Sequence, residues 1–142
     1  MHAYLRTFES VFRVLHVRTF LEACNEYFSN SELAGEEFLV TLMLVMAIGI
    51  GFCPEVAGWD AHSWIRSAQA WLGPLKRKHA SIPGVQITCL LLLARQSNDF
   101  EADVIGVQVG ALLHLAMQTG LHVDPSLLPA TSFYDQEIRR RL

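Results

Sequence analysis

Cysteine is scarce: Cys24, Cys53 and Cys89 are odd in number, far apart and set in apolar stretches, with no CxxC pair. This argues against a disulfide framework and fits reduced thiols packed as small hydrophobes in a nuclear or cytosolic protein. An excess of basic charge is also missing. The 14 acidic residues against 11 basic ones leave a net charge of −3, so no overall positive field draws in a phosphate backbone. The uncharged run Phe38–Cys53 covers 16 residues, short of the roughly 20 of a spanning helix, and is expected to be a buried core helix with no membrane contact. The opening residues MHAYLRTFES lack the apolar core and small-residue cleavage site of a signal peptide. Catalytic signatures are absent as well: there is no HExxH, GxSxG, Walker loop or GxGxxG. His2, His16, His62, His79, His114 and His122 include no i, i+4 pair that would make a metal face.

What the sequence has is apolar helix. The apolar content is 51% and the mean hydropathy +0.27, which implies either helices buried on several sides or a surface covered by something else. Tyr4, Phe8, Val11, Phe12 and Leu15 form a helical stripe, and Phe20, Cys24, Tyr27 and Phe28 repeat the spacing. Ser29-Asn30-Ser31 breaks the pattern. Glu36 and Glu37 then suit the first turn of the apolar helix, where the macrodipole favours negative charge, and Gly49, Gly51 and Pro54 end it.

Asp60 is placed to cap a helix presenting Trp64, Ala68, Trp71 and Leu72, closed by Gly73-Pro74 ahead of the basic loop Lys76, Arg77, Lys78 and His79. From Ser81 onward, Val85, Cys89, Leu92 and Leu93 share one side and Leu90 and Leu91 another, which predicts a central helix ended by Asn98-Asp99. The next helix places Ile105, Val109, Leu112, Leu113 and Ala116 on one face, with Gly106 and Gly110 spaced for close approach of another helix. Gly120 tolerates the left-handed conformation that stops it, and Pro125 bars its resumption. Ser132 with Asp135 resembles a capping box for a last helix carrying Tyr134, Ile138 and Leu142. With no convincing strand and no linker, the expected fold is all-α, a bundle or array of about six or seven helices in a single domain over residues 1–142.

His122 with Asp124 is the best-placed pair for chemistry. A lone His near a helix end is more commonly a structural hydrogen-bonding residue, and a triad needs partners that the sequence does not place. Trp59, Trp64 and Trp71 could line a pocket, yet Trp64 and Trp71 share a helix face and are read as core.

Four stretches carry a likeness. YLRTFESVFRVLHVRTF, Tyr4–Phe20, supplies Leu15, His16, Thr19 and Phe20; Trp64–Leu72 supplies paired aromatics; VQITCLLLLARQSN, Val85–Asn98, supplies a central helix beginning near a Gln. The fourth, GALLHLAMQTGLHVDPS with FYDQEIRRRL, holds Met117, Gly120, Leu121, His122, Asp124, Pro125 and Ser126, then Glu137, Arg139, Arg140, Arg141 and Leu142. In this order and separation they resemble the fungal-specific transcription factor domain, the middle homology region of fungal regulators that read DNA through a six-cysteine binuclear zinc cluster. Arg18 stands where that family has Pro.

The resemblance implies structural roles for His16, Phe20, Gly120, His122, Asp124, Pro125, Glu137, Arg139, Arg140 and Arg141. His122 and Asp124 are expected to pair with arginines from Arg139 to Arg141 or to cap exposed backbone groups, an Arg held by a carboxylate being a strong link between elements. It further implies a nuclear, non-catalytic domain that contributes to regulation of RNA polymerase II transcription through protein contacts or effector sensing. Its partners would be other proteins or the rest of its own regulator. No cofactor is expected in this chain; zinc and DNA belong to a module that three scattered cysteines cannot form. Because the family continues through aromatic residues into more helices, a truncated domain is expected. Two other classes stay open: a helical interaction scaffold built of stacked helix pairs, and a helical small-molecule-binding or enzymatic domain with a pocket gathering His122, Asp124 and a Trp.

Overall fold

The computed structural model describes residues 1–30, 34–52, 60–73, 80–101, 105–128 and 132–142. Its elements are α1 His2–Arg6, α2 Phe8–Phe12, α3 Val17–Ser29, α4 Glu36–Ile50, α5 Ala61–Leu72, α6 Ile82–Ser97, α7 Ile105–Gln118, a 3-10 turn Pro125–Leu127 and α8 Phe133–Arg141. The fold is all-α, with no strand among the described residues. Cys53, Trp59 and the basic cluster Lys76 to His79 lie outside those residues, as do Ser31, Pro54 and Pro74.

The first apolar stripe makes two helices where one was expected. Thr7 separates α1 from α2, and Arg13, in the left-handed conformation at φ 52°, ends α2. The rotation this introduces buries Tyr4 completely and turns Val11 and Phe12 to solvent, while Leu15 is buried from the loop beyond.

Helix α4 packs against α1, α5 and α6 together. It therefore buries residues on more than one side, among them Leu42, Leu44, Val45 and Ile48. Each such chain contributes about 1.5–3 kcal/mol by leaving water. Gly49 is inside the helix and does not end it; a Cβ there would meet the Met1 backbone nitrogen at 3.4 Å, so the missing side chain lets α1 lie close. No helix among the described residues is long and apolar enough to cross a membrane.

Asp60 caps α5, accepting from the Ser63 amide at 3.1 Å. The residues buried along α5 are Ala61, Ile65, Ala68 and Leu72, whereas Trp64 and Trp71 are half-buried at its margin. Trp71 reaches back to α4, its Nε1 donating to Glu36 Oε2 at 3.1 Å.

Helix α7 is rotated away from its expected face, and α6 buries its Leu90 side more deeply than most of the face expected inward. On α6 the buried apolar residues are Val85, Ile87, Leu90, Leu91 and Ala94; Cys89 and Leu93 pack half-buried against the core, and Leu92 is half-buried. On α7 the fully buried residue is Leu115, and Val109 and Leu113 face outward at 50% and 63% exposure. Both helices are apolar all round, so the neighbour that covers them selects the buried side, and the spacing of Leu residues does not. Nothing lies within 4 Å of a Cβ built at Gly106 or Gly110, so no helix among the described residues uses them for close approach. Asn98 ties the ends of α4 and α6 together, its Nδ2 donating to the Ala47 and Ala94 carbonyls at 3.1 and 2.8 Å.

Candidate functional site

Two polar joints and an apolar cavity between them make up the candidate site. The first joint fixes the N-terminal segment. Glu9 on α2 is 4% exposed; its carboxylate accepts from Tyr4 Oη at 2.6 Å and from the Leu15 amide at 3.0 and 3.2 Å. Burial pushes the Glu9 carboxyl above the usual range, outweighing the opposing effects of the Tyr4 and Leu15 hydrogen bonds and of nearby Arg141. Burial, together with the Glu9 bond, also holds the Tyr4 phenol well above its ordinary value. From α6, Gln86 Nε2 donates to the Val14 carbonyl at 2.7 Å, so both sides of the loop are satisfied.

His16 caps α3. Its Nδ1 accepts from the Thr19 amide at 3.4 Å and lies 2.8 Å from Thr19 Oγ1. The ring also meets Tyr134 of α8 edge-on, with centroids 5.2 Å apart. Phe20, one turn on, is buried.

The second joint is the end of α7. The Leu121 amide donates to the Ala116 carbonyl at 3.0 Å and the Gly120 amide to that of Met117 at 3.1 Å, the pattern that closes a helix through a left-handed residue. Gly120 takes that position at φ 73°; an L-residue there costs about 1 kcal/mol. Arg139 completes the end, Nη1 donating to the Thr119 carbonyl at 2.9 Å and placing positive charge where the helix dipole is negative. Asp124 caps the 3-10 turn, accepting from the Ser126 amide and hydroxyl at 2.9 and 2.8 Å. Those two bonds hold its carboxyl below the usual range, with Arg140 adding to the effect. Pro125 follows and is buried.

The structure thus brings Asp124, Pro125, Gly120 and Arg139 into one joint but makes no carboxylate–arginine brace across it. Arg139 spends its bond on a backbone carbonyl, Arg141 pairs with Glu137 on its own helix at 2.8 Å, and Arg140 reaches Asp124 only as a nearby charge. His122 is exposed and has no hydrogen-bond partner among the described residues. Replacing Arg139 with Met is expected to lower stability by about 1.5 kcal/mol, the scale of a hydrogen bond to a charged group. Hydrogen exchange should accelerate first at α8 and at the last turn of α7, and Arg139→Lys should recover part of the loss.

The cavity, about 300 Å³, lies beside α6 and α7 and is lined mainly by Phe12, Val14, Leu92, Leu93, Val109 and Leu112, with Cys89, Gln96 and Arg141 also on its wall. Burial pushes the Cys89 thiol up to about 11, so it stays protonated and adds to the apolar lining. The sequence reading missed Glu9, Arg141's place on this wall, and Arg95. Arg95 is the largest fully buried side chain. It donates from Nη2 to Glu101 at 2.9 Å, while its Nε and Nη1 have no partner. The only signal for it is a lone charge closing the run LLLLAR. Neither this cavity nor the one of about 170 Å³ beside His16 and Tyr134 is lined by His122 or Asp124.

The sequence profile of the fungal specific transcription factor domain matches residues 1–142. The chain belongs to this family. It is 43% identical to transcription factor lepE of Aspergillus flavus over 100% of its own length and 18% of that protein's. It is 40% identical to transcription factor opdR of Penicillium oxalicum over 99% of its length and 18% of the relative, and 37% identical to transcription factor asR3 of Sarocladium schorii over 98% and 17%. The fungal specific transcription factor domain seen here therefore spans under a fifth of the length of these relatives. No solved structure matches it. Among the described residues no three His, Cys, Asp or Glu side chains gather as possible metal ligands.

Proposed function

We propose that this domain is a regulatory, non-catalytic part of a fungal transcription factor, nuclear in the parent protein, acting on RNA polymerase II transcription through protein contacts or a bound effector. DNA would be read, and zinc held, by a separate zinc-cluster module. The observation that carries this reading is the match of nearly the whole chain to three proteins each named a transcription factor. The geometry supports it: His16, Asp124, Arg139 and Gln86 each bond backbone groups at the joints between helices, which is the work of a scaffold. The test is a reporter gene driven by the parent regulator's own target promoter. Deleting or unfolding this domain within the intact regulator should change reporter output by about tenfold, in the range that a few kcal/mol of coupling produces, without abolishing promoter occupancy. Unchanged output, or substrate turnover by the purified domain that His122→Ala abolishes, would overturn the reading.

A further inference from the structure

The cavity beside α6 and α7 is large and apolar, with a single cationic side chain on its wall. A dry apolar cavity of roughly 150 Å³ accepts benzene, so the approximately 300 Å³ here has room for about twice that body, two fused rings or a chain of comparable volume. Its polar groups are few and specific. Arg141 is only 22% exposed, and Glu137 Oε1 occupies its Nε and Nη2. Its Nη1 has no hydrogen-bond partner among the described residues. Gln96 adds a neutral donor and acceptor on the same wall. An apolar bowl with a guanidinium that keeps one nitrogen, Nη1, open beside its Glu137 pair favours an anion with a hydrophobic body, since an open guanidinium N–H makes a charge-assisted bond to a carboxylate.

We propose that this cavity is an effector site for a small amphipathic carboxylate, its apolar body between α6 and α7 and its carboxylate on Arg141. The proposal takes the effector arm of the regulatory reading and makes its chemistry specific. Occupancy would touch Leu92 and Leu93 on one side of α6 while the other side, Leu90, Leu91 and Ala94, forms the core against α4 and α5. The helix that touches the ligand therefore also packs against α4 and α5.

The test uses two acids of the right volume, 2-naphthylacetate and decanoate, each against its neutral alcohol, with binding to the purified chain followed by calorimetry and by methyl NMR of the leucines. The acids should bind saturably and about tenfold more tightly than the alcohols, the worth of one charge-assisted contact. Arg141→Met should bring that ratio to about one, and Glu137→Gln, which frees the guanidinium, should raise it. Val109→Trp, filling the cavity, should abolish binding of all four probes, and circular dichroism should show each variant still helical. Equal affinity of acid and alcohol for the unmodified chain, or a ratio unaffected by Arg141→Met, overturns the proposal. So does a chain that binds none of the probes and dimerises through this groove, with Val109→Lys returning it to monomer. None of these results bears on reporter output, so the regulatory reading stands or falls separately.

Discussion

Replacing Arg95 with methionine is expected to make the domain more stable by about 1–2 kcal/mol, while replacing Glu101 with alanine makes it less stable by a similar amount. The opposed signs follow from where the guanidinium sits. The Arg95 side chain is 0% exposed and its one ion-pair partner, Glu101, is 49% exposed. The charge has thus been taken out of water in exchange for a single bond from Nη2, with Nε and Nη1 left unpaired. Methionine fills similar volume without either penalty. Losing Glu101 instead leaves the buried charge with no counterion. Its Coulombic share is discounted because half of the carboxylate side is screened by solvent, which sets the figure below the roughly 3–5 kcal/mol of a fully buried pair broken on one side. Denaturant melts of the two single variants and the double variant decide the matter. The double variant should match Arg95→Met, and an Arg95→Met protein that loses more than 1 kcal/mol would show that the guanidinium has partners of real worth.

Glu9→Ala carries the largest expected loss, about 3 kcal/mol, because it strands two buried donors, the Tyr4 hydroxyl and the Leu15 amide. Glu9→Gln, able to accept from the amide through Oε1, should lose about 1 kcal/mol. The pair also separates in pH. Burial raises the folded Glu9 pKa above its unfolded value, so the native state holds the proton longer. The stabilisation linked to it is complete below the unfolded carboxyl pKa and is lost as pH rises through the folded one. The stability difference between the wild-type chain and Glu9→Gln should therefore move against the wild type across that interval. A difference that grows in favour of the wild type with rising pH would mean that the hydrogen bonds, and not burial, govern the group.

Local chemistry was readable from the sequence; rotation of helices about their axes was not. The caps at Asp60 and Ser132 and the stop at Gly120 depend on residues within one turn, and all three appear where side-chain type predicts them. The Ser132–Asp135 pair departs only in detail, the carboxylate taking the Ser132 hydroxyl at 2.7 Å. In α6 and α7 apolar residues surround the axis, so the pattern cannot say that Leu90 and Leu115 are fully buried while Leu93 and Leu113 are not. The split of the first stripe at Thr7 was equally hidden, since it serves a contact between Tyr4 and a carboxylate that only the folded chain brings together. The site follows the same division. Asp124 as a cap is a three-residue matter, whereas the partner of Arg139 is a carbonyl 20 residues away.

Helix α7 carries no Asp, Glu, Lys or Arg from Ile105 to Gln118, and its outward strip of Gly110, Leu113 and Met117 is bare. A body settling on that strip meets no fixed charge within the helix that dissolved ions could screen. Its hold would change little between dilute buffer and molar sodium chloride, and would weaken on cooling as apolar contacts do.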